Sequence, residues 1–108
     1  MTSAHIVVMT TVSSEADAGK LANVLVTAKA AACVQMMPIR SCYMWDGKVN
    51  NDSEVLLLIK TRAALFDRVA ELIKQNHSYE VPEIISLPVT AGSAPYLGWI
   101  DSATAGKD

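Results

Sequence analysis

The segment NHSYEVPEI, residues 76–84, carries the side chains best suited to chemistry in this sequence. His77 and Glu83 offer an imidazole nitrogen and a carboxylate, a donor pair that suits copper or zinc with waters at the remaining positions. The same segment suits a helix end, where His77 interacts with the last helix carbonyls and Tyr79 packs as an anchor. Because two ligands alone make a weak metal motif, the sequence favours the helix end and leaves the metal site as its alternative.

A second pair of charged residues lies in a segment typical of a β-strand. Glu54 and Lys60 are six positions apart, so both side chains project from the same face of the strand. Lys60 either meets an anionic ligand near the strand end or lies in solvent there, and the sequence favours neither interpretation.

Common signatures of catalysis are absent from the sequence. It contains no glycine-rich phosphate loop, no nucleophile elbow and no paired-cysteine metal motif. The one other histidine, His5, stands at the start of the first strand-like segment. We therefore expect a protein that is not an enzyme.

Length and composition indicate one folded domain, residues 1–108. Hydrophobic residues make up 51% of the chain, which argues against disorder. Nine basic and eleven acidic side chains give a net charge of −2 without a basic patch, which argues against nucleic-acid binding. The longest apolar run, residues 55–59, is too short to cross a bilayer, and the N-terminus does not resemble a signal peptide. We expect a cytoplasmic protein that binds no membrane.

The two cysteines, Cys33 and Cys42, fall in one extended segment. At strand rise they lie roughly 30 Å apart, whereas a disulfide requires α-carbons within about 7 Å. Both thiols are therefore predicted to be free, as small hydrophobic side chains rather than a redox pair.

Two helices are predicted from apolar residues at helical spacing. Ser14, with Asp17 three residues later, suits an N-cap, and the apolar face then extends to about residue 31. Thr61 suits the cap of the second helix, which ends near Asn76 and His77. The buried stripe predicted for this second helix consists of Leu65, Phe66, Val69, Leu72 and Ile73.

Four strands are predicted around these helices. The first covers residues 5–12, two long strands cover 33–61 around an Asp46-Gly47 turn, and the fourth covers 83–91. Ser93 and Pro95 suit the start of a short C-terminal helix. Residues 102–108 have nothing apolar to bury and are expected to form a frayed tail.

The order of these elements predicts an α+β, ferredoxin-like βαββαβ fold with a long β-hairpin and a short C-terminal helix. In this topology the second and fourth strands lie at the edges of the sheet. Proline is tolerated in a sheet only at edges or bulges. Pro38 falls in the second strand and Pro88 in the fourth, so both prolines agree with the prediction.

The predicted hairpin is too long for one small domain. A strand over residues 34–45 would be about 40 Å long, whereas a globular chain of this size has a diameter of roughly 35 Å. A projecting ribbon would expose several large apolar side chains, namely Met36, Met37, Tyr43, Met44 and Trp45. The sequence therefore favours a homo-oligomer over a monomer with a sharply bent hairpin.

Five motifs, in order along nearly the whole chain, resemble those of the CutA family of divalent-cation tolerance proteins. They are AACV (31–34), YMWDG (43–47), EVLLLIKT (54–61), HSYEVPEI (77–84) and LPVTAGSAPYLGWI (87–100). The resemblance implies a ferredoxin-like homotrimer, related in shape to the nitrogen-regulatory PII proteins, in which the long hairpins pair with neighbouring subunits.

The resemblance also implies a role in tolerance of copper and other divalent cations by weak metal binding, without a required cofactor. One alternative is a PII-like protein that binds a small, anionic molecule in clefts between subunits. A second alternative is a scaffolding trimer that binds neither a metal nor a metabolite.

The candidate site residues follow from the family motifs. The family's HPYE reads HSYE here, which retains His77, and Glu83 matches as well. A cysteine found near the end of strand one in certain bacterial members is missing, and Asn76 replaces a second histidine, which predicts weak copper binding. The remaining candidate metal ligands are His77, Glu83 and Cys33. The residues expected to line a cleft between subunits are Tyr43, Trp45, Lys60 and Tyr79.

Overall fold

The computed structural model describes residues 3–106 of the chain, which form one four-stranded sheet and three α-helices. The strands are β1 (His5–Val12), β2 (Cys33–Trp45), β3 (Lys48–Arg62) and β4 (Ile85–Pro88). The helices are α1 (Glu15–Thr27), α2 (Phe66–Gln75) and α3 (Ala94–Ala103). The sheet order is β2-β3-β1-β4, and every neighbouring pair is antiparallel. These features confirm the predicted ferredoxin-like fold with a C-terminal helix.

Both edge strands contain the proline that agreed with their predicted edge position. Pro38 lies in β2 and Pro88 in β4, and each of these strands has one neighbour in the sheet. A proline in β1 or β3 would remove a hydrogen bond from the interior of the sheet.

One face of the sheet packs against α1 and α2. Side chains alternate between the two faces of a strand, so Val8 of β1 and Leu57 and Ile59 of β3 point to the same layer. The helices contribute Leu25 from α1 and Ile73 from α2, and all five side chains are fully buried. This layer is the hydrophobic core.

The opposite face of the sheet is apolar but largely uncovered. Met9 pairs with Leu58 on one side and with Ile85 on the other, and none of the three is buried. Ile85 is 48% exposed. Helix α3 reaches this face near Lys60 and Arg62, at the end of β3.

Helix α1 begins as the sequence predicts and ends earlier. The Ser14 hydroxyl accepts a hydrogen bond from the backbone N–H of Asp17, which confirms the N-cap. The predicted end near residue 31 is wrong, because Lys29 has a φ of 58° and the Leu25 carbonyl accepts from both Ala30 and Ala31. A left-handed residue of this kind stops a helix and satisfies its last carbonyls.

Thr61 does not cap the second helix. It belongs to β3, where its buried hydroxyl donates a 2.6 Å hydrogen bond to the Ala30 carbonyl. A short 3-10 turn, Ala63–Leu65, then leads into α2. Thr61 has a residue type typical of a helix cap, but it lies in β3, which extends to Arg62 because its backbone pairs with β1 up to His5.

The β2–β3 hairpin extends away from the core. Its pairing continues without interruption from Cys33–Lys60 to Trp45–Lys48 and passes straight through Pro38. No residue from 35 to 53 is buried, and the longest dimension of the molecule is 45 Å. The turn has Asp46 at a φ of 55° and Gly47 at 73°, as an Asp-Gly hairpin turn requires. The two cysteines of β2 are free thiols, as predicted.

The C-terminal region is more ordered than the sequence suggested. The prediction of fraying from residue 102 is wrong for residues 102–104, because α3 continues to Ala103 and Thr104 is buried. Arg62 donates to both the hydroxyl and the carbonyl of Thr104, at 2.8 and 3.0 Å. Residues 107 and 108 of the expected tail lie outside the described residues.

Strand β4 is also shorter than predicted, four residues instead of the expected span 83–91. It pairs with residues 6–9 of β1, and the chain then turns towards Ser93, the N-cap of α3. None of the helices within residues 3–106 is long and apolar enough to cross a membrane.

Candidate functional site

A cleft of about 620 Å³ lies between the hairpin and the segment that follows α2. The hairpin side of the cleft consists of Ser41, Cys42, Tyr43, Trp45 and Glu54. The other side consists of Tyr79, Glu80, Val81 and Glu83, and Thr11 of β1 also contributes. Among residues 3–106, the lining combines three carboxylates with three aromatic rings and includes no lysine, arginine or histidine.

Glu54 and Tyr79 connect the two sides of this cleft. The Tyr79 hydroxyl donates a 2.8 Å hydrogen bond to Oε2 of Glu54, a residue that is only 9% exposed. Burial, followed by this hydrogen bond and the negative charge of Glu54, raises the pKa of Tyr79 to about 12. The phenol is therefore neutral at physiological pH and acts as a hydrogen-bond donor.

A second tyrosine–carboxylate pair lies farther out on the hairpin. The Tyr43 hydroxyl donates to the carboxylate of Asp52 on the neighbouring strand. This hydrogen bond, with smaller contributions from desolvation and the nearby acidic charges, raises the pKa of Tyr43. Both phenols thus remain protonated donors beside carboxylates.

His77 is held by the backbone on both sides of its ring. Its Nε2 lies 2.6 Å from the Thr11 carbonyl, and its Nδ1 accepts a 3.0 Å hydrogen bond from the Tyr79 N–H. A carbonyl only accepts, so Nε2 carries the proton and the imidazole is the neutral Nε2–H tautomer. Both nitrogens are therefore engaged, and a metal ion would have to displace one of these hydrogen bonds.

The three candidate metal ligands are not brought together around one cavity. Glu83 lines the 620 Å³ cleft, whereas His77 lines a separate cleft of about 250 Å³ that also includes Asp17 and Lys20. Cys33 pairs with Lys60, six positions along β3 from Glu54, which corresponds to about 20 Å at strand rise. Within residues 3–106, no three His, Cys, Asp or Glu side chains converge to hold a metal ion.

Four residues are predicted to line a cleft between subunits, and this stays a prediction; three of them lie around the cleft within one chain. Tyr43, Trp45 and Tyr79 lie around the 620 Å³ cleft. Lys60 lies elsewhere: its Nζ donates a 3.2 Å hydrogen bond to the Tyr96 hydroxyl of α3 and lies 5.3 Å from the centre of that ring.

The site contains residues that the sequence alone did not assign to it. Cys42, Glu54 and Glu80 line the cleft, and Cys42 is exposed whereas Cys33 is half-buried. The register of the hairpin was the signal that would have found Glu54. An Asp46-Gly47 turn pairs residue 45 with 48, and counting back along both strands places Glu54 opposite Ile39, close to Ser41 and Cys42.

Comparison with known proteins identifies the family. Residues 6–103 match the family model described as CutA1 divalent ion tolerance protein. The chain belongs to the CutA1 family. It is 50% identical over 100 residues to the chloroplastic protein CutA of Arabidopsis thaliana, an alignment that covers 92% of this chain and 55% of that protein.

Solved structures agree with this assignment. The crystal structure of CutA1 from Oryza sativa superposes with a TM-score of 0.93 at 44% identity and covers 98% of each chain. The structure of the periplasmic divalent cation tolerance protein CutA from Archaeoglobus fulgidus gives a TM-score of 0.91 at 35% identity, over 93% of this chain and 98% of that one.

These relatives correct one prediction. The expectation of a cytoplasmic protein is contradicted, because the Arabidopsis relative is named chloroplastic and the Archaeoglobus relative periplasmic. The absence of a signal-like N-terminus was the reason for that expectation. The chain also spans only about half the length of the plant and mammalian relatives that it matches.

Proposed function

We propose that this CutA1-family chain acts in tolerance of divalent cations as a non-enzymatic protein that binds such cations weakly. The observation that carries the proposal is the lining of the 620 Å³ cleft, which combines the carboxyl groups of Glu54, Glu80 and Glu83 with no basic side chain from the described residues. Such a cleft attracts cations and repels anions. The names of the Archaeoglobus relative and of the family model support the same role.

Metal binding in this cleft is expected to be weak because the described residues offer an incomplete donor set. Glu83 and Glu80 are exposed carboxylates, and Cys42 adds an exposed thiol that favours a soft ion such as copper. Water, or groups from another subunit, would complete the coordination. The set His77, Glu83 and Cys33 stays a prediction, and its use would require His77 to release Thr11 or Tyr79.

The proposed assembly is a homotrimer, the number of subunits that the family resemblance implies. Support comes from the uncovered apolar face around Met9 and Ile85 and from exposed hairpin residues, of which Met44 is 66% and Trp45 58% exposed. Exposed apolar area of this kind is characteristic of subunit interfaces. Light scattering should give the mass of three chains, and a stable monomer would contradict the proposal.

The anion-binding alternative has less support than the cation-binding one. It depended on Lys60 beside aromatic residues; Lys60 does contact an aromatic ring, that of Tyr96, but this contact lies away from the carboxylate-lined cleft. An anionic ligand in the cleft would face Glu54, Glu80 and Glu83 without a basic side chain from the described part of this subunit.

A copper titration against a competing chelator tests the proposal. The variants are Glu83→Gln and Cys42→Ser within the cleft and His77→Ala outside it, with Glu71→Gln on α2 as a matched control for loss of one carboxylate. We expect weaker Cu²⁺ binding in the first two variants and wild-type binding in the others. Equal affinity in wild type, Glu83→Gln and Cys42→Ser would exclude this cleft as the metal site.

A further inference from the structure

Two of the three tyrosines in this chain donate their phenolic proton to a carboxylate of the same subunit. The Tyr79 hydroxyl lies 2.8 Å from Oε2 of Glu54, and the Tyr43 hydroxyl donates to Asp52. Each contact joins residues of one subunit, so it is compatible with a trimer in which the hairpins pair with neighbouring subunits. A phenol bonded to a carboxylate is suited to one kind of chemistry, the loss of an electron together with the phenolic proton.

The carboxylate matters for this chemistry because an oxidised phenol is a strong acid. The electron leaves readily only when a base accepts the phenolic proton at the same time. A carboxylate oxygen at hydrogen-bond distance is such a base, because the proton moves along the existing hydrogen bond. Electrons transfer over distances longer than a hydrogen bond, so the oxidant need not touch the ring of Tyr79. The reaction therefore requires no open cleft.

Tyr79 is better placed for this reaction than Tyr43 because its base is protected from water. Glu54 is 9% exposed, whereas Asp52 occupies an exposed position on the hairpin. Water competes little for Oε2 of Glu54, so a proton received there stays close to the phenolic oxygen until an electron returns. The raised pKa of Tyr79, about 12, keeps the phenol protonated near neutral pH, so the proton is present for transfer.

The third tyrosine, Tyr96, has the opposite environment. Its oxygen accepts a 3.2 Å hydrogen bond from Nζ of Lys60, which also lies 5.3 Å from the centre of the ring. A lysine ammonium group has donors and no acceptor, so it cannot take the phenolic proton. Its positive charge also opposes the loss of an electron from the ring. Tyr96 therefore provides a comparison for Tyr79 within the same chain.

We propose that Tyr79 is a redox-active residue that gives one electron to a one-electron oxidant such as the carbonate radical, with Glu54 as the acceptor of its proton. The O–H bond of Tyr79 breaks, an O–H bond forms on Oε2 of Glu54, and the carbonate radical is reduced to carbonate. The products on the protein are a neutral tyrosyl radical and a protonated Glu54. A one-electron reductant such as ascorbate restores the phenol as the proton returns from Oε2. This activity requires no metal ion and goes beyond the proposed binding of divalent cations.

Flash photolysis of the assembled protein with a ruthenium polypyridyl complex as the one-electron oxidant tests the inference. Tyr43→Phe is the reference protein, because it leaves Tyr79 and Tyr96 as the two tyrosines. A chelator present throughout removes metal ions, so the result is independent of the copper titration. We expect the absorbance of a tyrosyl radical in the reference protein, its loss when Tyr79→Phe is added, and its persistence when Tyr96→Phe is added.

A second variant identifies the proton acceptor. Glu54→Gln, made in the Tyr43→Phe protein, keeps the shape and an oxygen that accepts from Tyr79, but an amide is a far weaker base than a carboxylate. The rate of radical formation should fall about a hundredfold, as expected for the loss of a positioned base. Added phosphate should restore part of the rate in this variant and leave the reference protein unchanged. Glu71→Gln, which removes an exposed carboxylate on α2, should leave the rate unchanged.

Three results would overturn the inference. A tyrosyl radical that survives Tyr79→Phe and disappears with Tyr96→Phe would assign the oxidation to α3. An equal rate of radical formation with and without Glu54→Gln would reject Glu54 as the proton acceptor. If Glu54→Gln fails to fold, a rate that rises with phosphate concentration in the Tyr43→Phe protein is sufficient to reject an internal base. Copper binding is unaffected by any of these outcomes, so the metal proposal stands or falls by its own titration.

Discussion

The hydroxyl of Tyr79 donates a 2.8 Å hydrogen bond to Oε2 of Glu54, and this contact joins the segment after α2 to strand β3. The two residues are 25 positions apart in the chain. The contact keeps the Glu54 carboxylate at the cleft wall and keeps the phenol protonated. The geometry of the cleft therefore depends on a tyrosine that the sequence had assigned only to packing or cleft lining.

The raised pKa of Tyr79 predicts a specific loss of stability at alkaline pH. Below pH 10 the phenol is neutral in both the folded and the unfolded chain, so its stabilising contribution is fully present. The unfolded phenol ionises near its ordinary pKa of 10.0 and the folded one near 12, so the contribution is lost between these values. In urea unfolding at several pH values, the difference in unfolding free energy between wild type and Tyr79→Phe should shrink across this window.

The absorbance of ionised tyrosine provides an independent measurement for the same variant. The folded wild type should show a phenolate that appears only near pH 12, and Tyr79→Phe should lack it. A phenolate that appears near pH 10 and disappears in Tyr79→Phe would contradict the hydrogen bond to Glu54.

Backbone groups hold both ring nitrogens of His77. Replacing this residue is therefore expected to lower the unfolding free energy of the protein and to leave its metal affinity unchanged. His77→Ala leaves the Thr11 carbonyl and the Tyr79 N–H without their partner, which should lower the unfolding free energy by about 1–3 kcal/mol. Ser78→Ala, an exposed neighbour, serves as the control and should be nearly neutral. Chemical denaturation measures both. Unchanged stability together with lost copper affinity in His77→Ala would instead identify a metal ligand.

The site shows why neighbouring residues in the chain were a poor guide to function. His77 and Glu83 are close in sequence, yet they line different clefts because the chain changes direction after α2. Glu54 and Tyr79 are distant in sequence, yet they meet across the cleft. Side-chain spacing predicts convergence within one strand or helix, whereas convergence between elements depends on strand register and helix length.

The fold was more accessible to sequence reasoning than the site. The Asp46-Gly47 turn predicted the hairpin, and the element order predicted that β2 lies at the sheet edge; Pro38 agreed with that position because proline lacks the N–H that an interior strand needs. The ends of helices were harder to predict. Lys29 takes a left-handed conformation that favours glycine or asparagine, and Thr61 has the side chain of a helix cap but bonds to Ala30 in the sheet layer.

The backbone conformations of Gly47 in the hairpin turn and Gly19 in helix α1 predict opposite effects of replacing each glycine by alanine. Gly47 has a φ of 73°, so Gly47→Ala forces a β-carbon into the left-handed region and should destabilise the protein by about 1–2 kcal/mol. Gly19 lies inside α1, and a β-carbon there would meet no atom within 4 Å. Gly19→Ala should therefore stabilise by about 0.5–1 kcal/mol. Thermal unfolding compares them, and a melting temperature that falls for both would contradict this assignment of the helix.

The attachment of α3 to the sheet predicts that Thr104 is essential for stability although it follows the last helical residue. Its hydroxyl donates to the Ile100 carbonyl and accepts from Nε of Arg62, both at 2.8 Å. Thr104→Val keeps the shape and removes both hydrogen bonds, so the unfolding free energy should fall by about 1–3 kcal/mol. Ser102→Ala, at an exposed position on α3, should cost far less. If chemical denaturation gives equal, small effects for both variants, the end of α3 is not held by Arg62, and the frayed tail expected from the sequence would begin before Thr104.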